Sequence, residues 1–153
     1  MRSVSSTKRL IGGVIFLVAL GWASQGFAQI TVGTWLRSDA KGKGITMTAE
    51  LCCNGGRRLT YHIPAMGNQP PSTLTVESPM DGTDSPALVA GKPSGETIAI
   101  KRVDDRHYTS VIKMNGRQFG TSSATLSADG KTLTVESVMD VGGKPEKETW
   151  VKQ

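Results

Sequence analysis

The sequence predicts an all-β protein: an antiparallel up-and-down meander of about eight to ten strands, closed into a barrel and preceded by a signal peptide. Segments of alternating polar and apolar residues, rich in β-branched side chains, indicate strands with one wet and one dry face. Turn dipeptides separate many of these segments, and no segment of the mature chain has a capped helical period. The alternation is clearest in a peptide that occurs twice, at residues 73–81 and 132–140, with Pro79 in the first copy and Val138 in the second.

Residues 1–28 have the three parts of a secretory signal peptide. A basic head ends at Arg9, an apolar run covers residues 10–23, and Gly26 and Ala28 supply the small residues that precede a cleavage point. The apolar run is shorter than the roughly 20 residues that cross a bilayer. We therefore expect cleavage after Ala28, a periplasmic or secreted location, and no membrane span in the mature chain.

The mature chain, residues 29–153, has the length of one domain with one core. Three of the 18 Lys and Arg residues lie in the signal peptide, whereas all 13 Asp and Glu residues follow it, which leaves a net charge of +2. Charges of both signs are interspersed, and the adjacent pair Arg57-Arg58 is typical of a solvated turn flank. These features argue against nucleic-acid binding.

The strands are predicted at residues 30–37, 44–51, 57–63, 72–77, 87–90, 96–103, 107–114, 117–127, 131–141 and 146–152. Three of the connections contain dipeptides that accept positive φ at little cost, as tight hairpin turns require: Asn115-Gly116, Asp129-Gly130 and Gly142-Gly143. Asp104 and Asp105 predict a further tight turn, with aspartate side chains capping the backbone. The second half of the chain is therefore expected to be an uninterrupted meander.

Two longer loops are predicted, at residues 64–72 and 78–86, where Pro, Gly and Ser accumulate. Pro79 cannot donate a ladder hydrogen bond. The first copy of the repeated peptide should therefore stop or bend where the second continues.

Strand alternation predicts which side chains share the interior, because residues two apart lie on one face. A closed barrel also removes the exposed edges that an open meander would leave. The apolar faces are Ile45, Met47, Ala49 and Leu51; Leu59, Tyr61 and Ile63; Leu74 and Val76; Ile98 and Ile100; Tyr108, Ile112 and Met114; and Leu133, Val135, Met139 and Val141. In the repeated peptide Glu77 and Glu136 face outward, so the repeat is interpreted as barrel wall.

Gly33-Thr34-Trp35 lies in the first predicted strand, and further strand and turn patterns lie at residues 97–106, 126–135 and 142–145. In these features the chain resembles the calycins, the lipocalins and fatty-acid-binding proteins, and more specifically a group of uncharacterised exported bacterial proteins with a lipocalin-like barrel. The resemblance covers nearly all of the mature chain. It implies a barrel for a small apolar ligand, with the indole of Trp35 across one end.

The chain departs from the fatty-acid-binding proteins at two places. The short segment between Trp35 and Ile45 has no room for their helical lid. Their Arg-x-Tyr grip on a carboxylate is replaced in the last strand by Glu148-Thr149-Trp150, and Glu148 would repel a carboxylate. A ligand is therefore expected to be neutral or cationic, or to approach from elsewhere.

Cys52 and Cys53 are adjacent, and exported proteins usually oxidise their cysteines. Neighbouring Cα atoms lie about 3.8 Å apart, which is shorter than the roughly 4.4–6.8 Å usual for a disulfide, so a bridge between them is strained. Free thiols, a vicinal disulfide that kinks the following turn, and intermolecular pairing all remain open. Metal or redox chemistry would need a further ligand such as His62, and the spacing matches no zinc pattern. No metal and no cofactor are expected.

The sequence contains no recognisable catalytic constellation, so we expect a protein that is not an enzyme. His107 follows the Asp104-Asp105 turn, where an exposed histidine beside a carboxylate is commonplace.

The leading hypothesis is an exported, non-enzymatic barrel that binds or carries a small, largely apolar molecule. The alternative is a structural or protein-interaction module of the cell envelope with a filled core, and the oligomeric state is open. Trp35 and Trp150 are expected to be core plugs, ligand contacts or both. The predicted lining of the barrel is Trp35, Met47, Leu59, Tyr61, Ile98, Ile100, Tyr108, Ile112, Leu133, Val135, Met139 and Trp150.

Overall fold

A computed structural model describes residues 30–139 and 143–153, and in this part of the chain ten antiparallel strands follow one another as neighbours. The last strand pairs with the first, which closes the sheet into a barrel. The strands are β1 (Gly33–Arg37), β2 (Thr46–Cys52), β3 (Gly56–Ile63), β4 (Ser72–Ser78), β5 (Asp81–Val89), β6 (Lys92–Arg102), β7 (His107–Met114), β8 (Arg117–Leu126), β9 (Thr132–Met139) and β10 (Glu146–Lys152). The predicted all-β meander and its closure are confirmed, and the barrel is compatible with a lipocalin-like one. The predicted signal peptide lies outside the described residues.

Helical structure in the described residues is limited to two short 3-10 turns, Ala40–Gly42 between β1 and β2 and Cys53–Gly55 between β2 and β3. No helix in this part of the chain is long and apolar enough to cross a membrane.

The tight turns follow their sequence predictions. Asn115 and Gly116 take φ values of 48° and 80° and form the two-residue link between β7 and β8. The carboxylate of Asp104 accepts hydrogen bonds from the backbone N–H groups of Arg106 and His107, both at 2.9 Å. Gly142 of the predicted Gly142-Gly143 turn lies outside the described residues.

The predicted loop at residues 78–86 is wrong, because β5 begins at Asp81. Pairing with β6 holds these turn-prone residues as a strand. The paired segment runs from Asp81, opposite Lys101, to Val89, opposite Lys92, and its register shifts at two places. Pairing with β4 covers only Ala87, Leu88 and Val89. Pro86 thus lies just beyond that ladder, where its missing N–H costs no hydrogen bond.

The repeated peptide ends differently in its two copies, as Pro79 predicts. β4 stops at Ser78, directly before the proline, whereas β9 continues to Met139. The Ser78 hydroxyl accepts a hydrogen bond from the Met80 N–H at 3.1 Å and so caps the turn that follows.

The two ends of the barrel are filled to different degrees. At the end where odd-numbered strands begin, called the closed end, Trp35, Tyr108 and Leu126 are no more than 3% exposed. At the opposite end, called the open end, Met114 and Met139 are 38% and 42% exposed. The buried cluster at the closed end contains Ile30, Trp35, Met47, Ala49, Leu59, Tyr108, Leu126, Leu133 and Trp150.

Leu51 departs from its predicted place in the interior. It is 68% exposed, because it lies one residue from the end of β2 and projects beyond the filled core. Val141, another predicted interior residue, lies outside the described residues.

Candidate functional site

The barrel interior contains a cavity of about 300 Å³ toward the open end. Aliphatic side chains from β3, β4, β6 and β7 make up much of its wall, and Trp150 and Tyr61 add aromatic surface. The lining is Arg37, Ile45, Leu59, Tyr61, Ile63, Leu74, Val76, Glu96, Ile98, Ile100, Ser110, Ile112, Ser122, Val135, Ser137, Met139, Glu148 and Trp150.

A smaller cavity of about 70 Å³ lies deeper, toward the closed end. Six residues line both cavities, so the two spaces adjoin: Leu59, Tyr61, Ile100, Ser110, Ser122 and Val135. Below it, Ile30, Tyr108 and Leu133 form part of the buried cluster.

The predicted lining residues are distributed over these two cavities and the closed end. The larger cavity takes Leu59, Tyr61, Ile98, Ile100, Ile112, Val135, Met139 and Trp150, and the smaller one adds Met47, Tyr108 and Leu133. Trp35 lines neither cavity. It is completely buried, and its ring N–H donates to the Thr31 carbonyl at 3.2 Å, so its place is that of a plug at the closed end. Ligand contact by the other residues stays a prediction.

A charged network lies at the open end of the larger cavity. The Arg37 Nε donates to Asp39 Oδ2 at 2.7 Å, and its Nη1 lies 3.1 Å from Glu148 Oε1. Hydrogen bonding from Arg37 lowers the pKa of Asp39 below its ordinary value. Gly42 permits this arrangement, because a Cβ there would lie 1.9 Å from Arg37 Cδ. The guanidinium is thereby neutralised by two carboxylates.

Glu148 also connects this network to the aromatic wall. The Trp150 ring N–H donates to Glu148 Oε2 at 3.1 Å. Tyr61 packs edge to face against Trp150, with ring centroids 5.6 Å apart and planes at 69°. Burial raises the pKa of the Tyr61 phenol, and the charge of Glu148 adds to that rise. The Tyr61 phenol therefore stays neutral near the carboxylate of Glu148.

Glu96 brings a second carboxylate into the cavity wall. It lies on β6, two residues before Ile98 and on the same face, and it is half-buried. Burial raises the pKa of Glu96 above its ordinary value. No cation among the described residues forms an ion pair with it within 4 Å. In the part of the chain that the structure describes, no ion pair therefore compensates its charge.

Three serines form a polar stripe across three neighbouring strands of the cavity wall. Ser110 pairs with Ser122, and Ser122 pairs with Ser137, so they are neighbours on β7, β8 and β9. The hydroxyls of Ser110 and Ser122 are hydrogen-bonded to each other. The stripe places hydroxyl groups in a cavity wall that is otherwise largely hydrocarbon.

The polar lining was missed by reasoning from the apolar pattern alone. The available signal was position, because a polar residue two places from an interior residue shares its face. The polar lining residues with that spacing are Arg37 beside Trp35, Glu96 beside Ile98, Ser110 between Tyr108 and Ile112, Ser137 between Val135 and Met139, and Glu148 beside Trp150.

The closed end is sealed by polar contacts to Ile30. The Tyr108 hydroxyl accepts a hydrogen bond from the Ile30 N–H at 3.0 Å, and Arg57 Nε donates to the Ile30 carbonyl at 2.8 Å. Arg57 Nη1 also donates to the carbonyls of Gly55 and Gly56. Burial lowers the pKa of Arg57, and carbonyl oxygens solvate its charge in place of water. Arg57 is therefore 7% exposed rather than a solvated turn flank, which corrects the prediction for this residue.

Cys52 and Cys53 are joined in a vicinal disulfide, with Cα atoms 3.8 Å apart. Of the alternatives that the sequence left open, the structure has the bridge at the β2–β3 turn, where Cys53 and Asn54 take φ values of 50° and 55°. His62 lies at the other end of β3, away from the sulfurs. The described residues contain no group of three or more His, Cys, Asp or Glu side chains placed to hold a metal ion.

The two histidines lie outside the barrel interior. His107 is exposed, and its Nδ1 lies 2.8 Å from Asp104 Oδ1. His62 borders a shallow groove of about 390 Å³ on the outer wall, together with Pro64 and Pro71. Neither histidine lines the interior cavities.

No known protein family matches this chain, and no curated protein matches it.

Proposed function

We propose that this protein is an exported, non-enzymatic barrel of the lipocalin-like class that binds or carries a small, largely apolar molecule. The observation that carries the proposal is the interior cavity of about 300 Å³. Cavities that hold small molecules begin at about this size and combine apolar walls with a few polar groups. The aliphatic wall, the aromatic pair and the serine stripe match that description.

The alternative, an envelope module with a filled interior, is less well supported. A filled barrel would interdigitate its inward side chains without a space of this size. Here the closed end is packed in that manner, whereas the half containing Ile98 and Met139 is open. The asymmetry favours binding over a purely structural role.

Export is part of the same proposal. Cleavage after Ala28 would make Ile30 the second residue of the mature chain, and Ile30 is buried and held by two hydrogen bonds. The proposed cleavage point would thus lie just before a residue that packs into the closed end of the barrel. Intact mass of the protein recovered from its host should correspond to a chain that begins at Gln29; a chain that retains Met1 would contradict export by cleavage.

The binding proposal is tested by native mass spectrometry of protein purified from its own host, followed by extraction under denaturing conditions. A small molecule should co-purify and be released on unfolding. An Ile98→Trp variant, which fills the cavity, should lose that molecule. Thr97→Trp, on the other face of β6, is the matched control and should retain it. If folded wild-type protein carries no molecule and binds none of an apolar ligand library, the proposal is wrong.

A further inference from the structure

We infer that the cavity selects a small amphiphilic cation, an ammonium group on a short hydrocarbon tail. This inference rests on the proposed function, since it assumes that the cavity binds a ligand. It deepens that proposal by naming the charge of the ligand and the residues that would interact with that charge.

The first argument is the balance of charge in the cavity wall. Its charged residues are Arg37, Glu96 and Glu148. Arg37 is already paired with Asp39 and Glu148, so its guanidinium has little positive field left for an anion. Glu96 has no ion-pair partner within 4 Å among the described residues. The wall therefore presents an excess of negative charge to anything that enters.

The second argument is the aromatic surface beside Glu148. A cation is attracted to the face of an indole or phenol ring, most strongly where water is excluded. Tyr61 and Trp150 meet edge to face, so their contact occupies a face of only one of the two rings. Both rings line the same cavity as the two glutamates. Carboxylates and aromatic rings together make a lining that is suited to an alkylammonium group.

The third argument is the hydrocarbon part of the wall. The aliphatic residues Leu74 and Val76 of β4, Ile98 and Ile100 of β6, and Ile112 of β7 line the cavity from three strands. A space of about 300 Å³ with this lining would take a short alkyl or aryl group. A highly charged or sugar-like ligand would leave its polar groups unpaired there.

The state of Glu96 agrees with these arguments. A carboxylate that is partly removed from water and has no cation beside it is destabilised in its charged form. Burial accordingly raises the pKa of Glu96. A bound ammonium group would supply the missing partner and reverse that effect.

The test uses three probes that share one tail and differ in charge: octyltrimethylammonium, octanol and octanoate. Isothermal titration at low salt would measure each against the wild-type mature protein, Glu96→Gln and Glu50→Gln. Glu50 lies on the outer wall and is exposed, so its variant makes the same change in net charge without altering the cavity. Circular dichroism of all three proteins checks that they are folded.

We expect the cation to bind at least about tenfold more tightly than octanol, and octanoate to bind most weakly. Glu96→Gln should weaken binding of the cation about tenfold and leave octanol unchanged, whereas Glu50→Gln should alter neither. Equal affinity for the three probes, or the same loss in both variants, would overturn the cation inference while leaving the binding proposal intact. If none of the probes and no other apolar ligand binds, the proposed function itself fails.

Discussion

The Tyr108 hydroxyl and the Ile30 N–H are hydrogen-bonded at 3.0 Å, and the two residues lie far apart in the chain. Ile30 is buried, so its N–H has no water to replace this partner. Together with Arg57 on the Ile30 carbonyl, the contact fixes the segment before β1 under the closed end.

Tyr108→Phe should therefore destabilise the protein by about 1–3 kcal/mol, because a buried donor loses its acceptor. Urea unfolding followed by fluorescence measures this free energy. Tyr61→Phe is the matched control, since the Tyr61 hydroxyl forms no hydrogen bond with another described residue. Equal losses in the two variants would contradict the assigned contact.

Gly56→Ala should destabilise the fold by about 1–3 kcal/mol or more through overpacking. Gly56 has an ordinary φ of −75°, but a Cβ there would lie 2.0 Å from the Ser78 carbonyl oxygen and 2.6 Å from Pro79 Cα. Gly130→Ala is the comparison: nothing lies within 4 Å, and only its φ of 70° opposes the substitution, at about 1 kcal/mol. Thermal unfolding of both variants separates the cost of a steric clash from the cost of backbone strain. A larger loss of stability for Gly130→Ala than for Gly56→Ala would refute the steric assignment.

Oxidation of Cys52 and Cys53 is checked by alkylation in urea. Without reductant we expect no adduct, and with reductant two thiols should react. Cys52→Ser combined with Cys53→Ser should cost less than about 2 kcal/mol, because a bridge between adjacent residues closes almost no loop in the unfolded chain. A reactive thiol in the untreated protein would show that the bridge is not formed.

Glu96→Gln should stabilise the ligand-free protein at neutral pH. Burial raises the pKa of Glu96 in the folded state, so the folded protein holds this proton more tightly than the unfolded chain does. Stability is therefore lost as the pH rises above the ordinary value of 4.5 and through the folded pKa. Because the carboxyl is only partly buried, the gain should be less than about 1 kcal/mol. Urea unfolding at acidic and neutral pH should show a difference between variant and wild type only at neutral pH; an equal difference at both would exclude titration of Glu96 as its cause.

The meander could be predicted from the sequence because strand alternation and turn dipeptides are local signals. Asn115-Gly116 determines its own turn, and Pro79 ends β4 without help from the rest of the chain. The N-terminal half of β5 could not be predicted in this way. Residues such as Asp81 and Gly82 favour a loop locally, and only pairing with β6 makes them a strand.

The polar lining of the cavity could not be predicted from the apolar pattern of the sequence, for a similar reason. Glu148 is ordinary in a strand, and its role depends on Arg37, which reaches it from the neighbouring β1, and on Trp150 of its own strand. Likewise Arg57 appears from its neighbours to flank a turn, but the segment at Ile30 covers it. Such roles arise only when distant strands meet.

The pairing of β1 with β10 has a consequence for how the site comes into being. The first strand brings Arg37 and the last brings Glu148 and Trp150, so the cavity is complete only after the two extremes of the domain have joined. Contacts over so many residues form slowly during folding. A chain that stopped before Glu146 would lack both the closing strand and the acidic aromatic wall. Completion of the cavity and completion of the fold are thus one event, and a partly folded chain lacks the cavity.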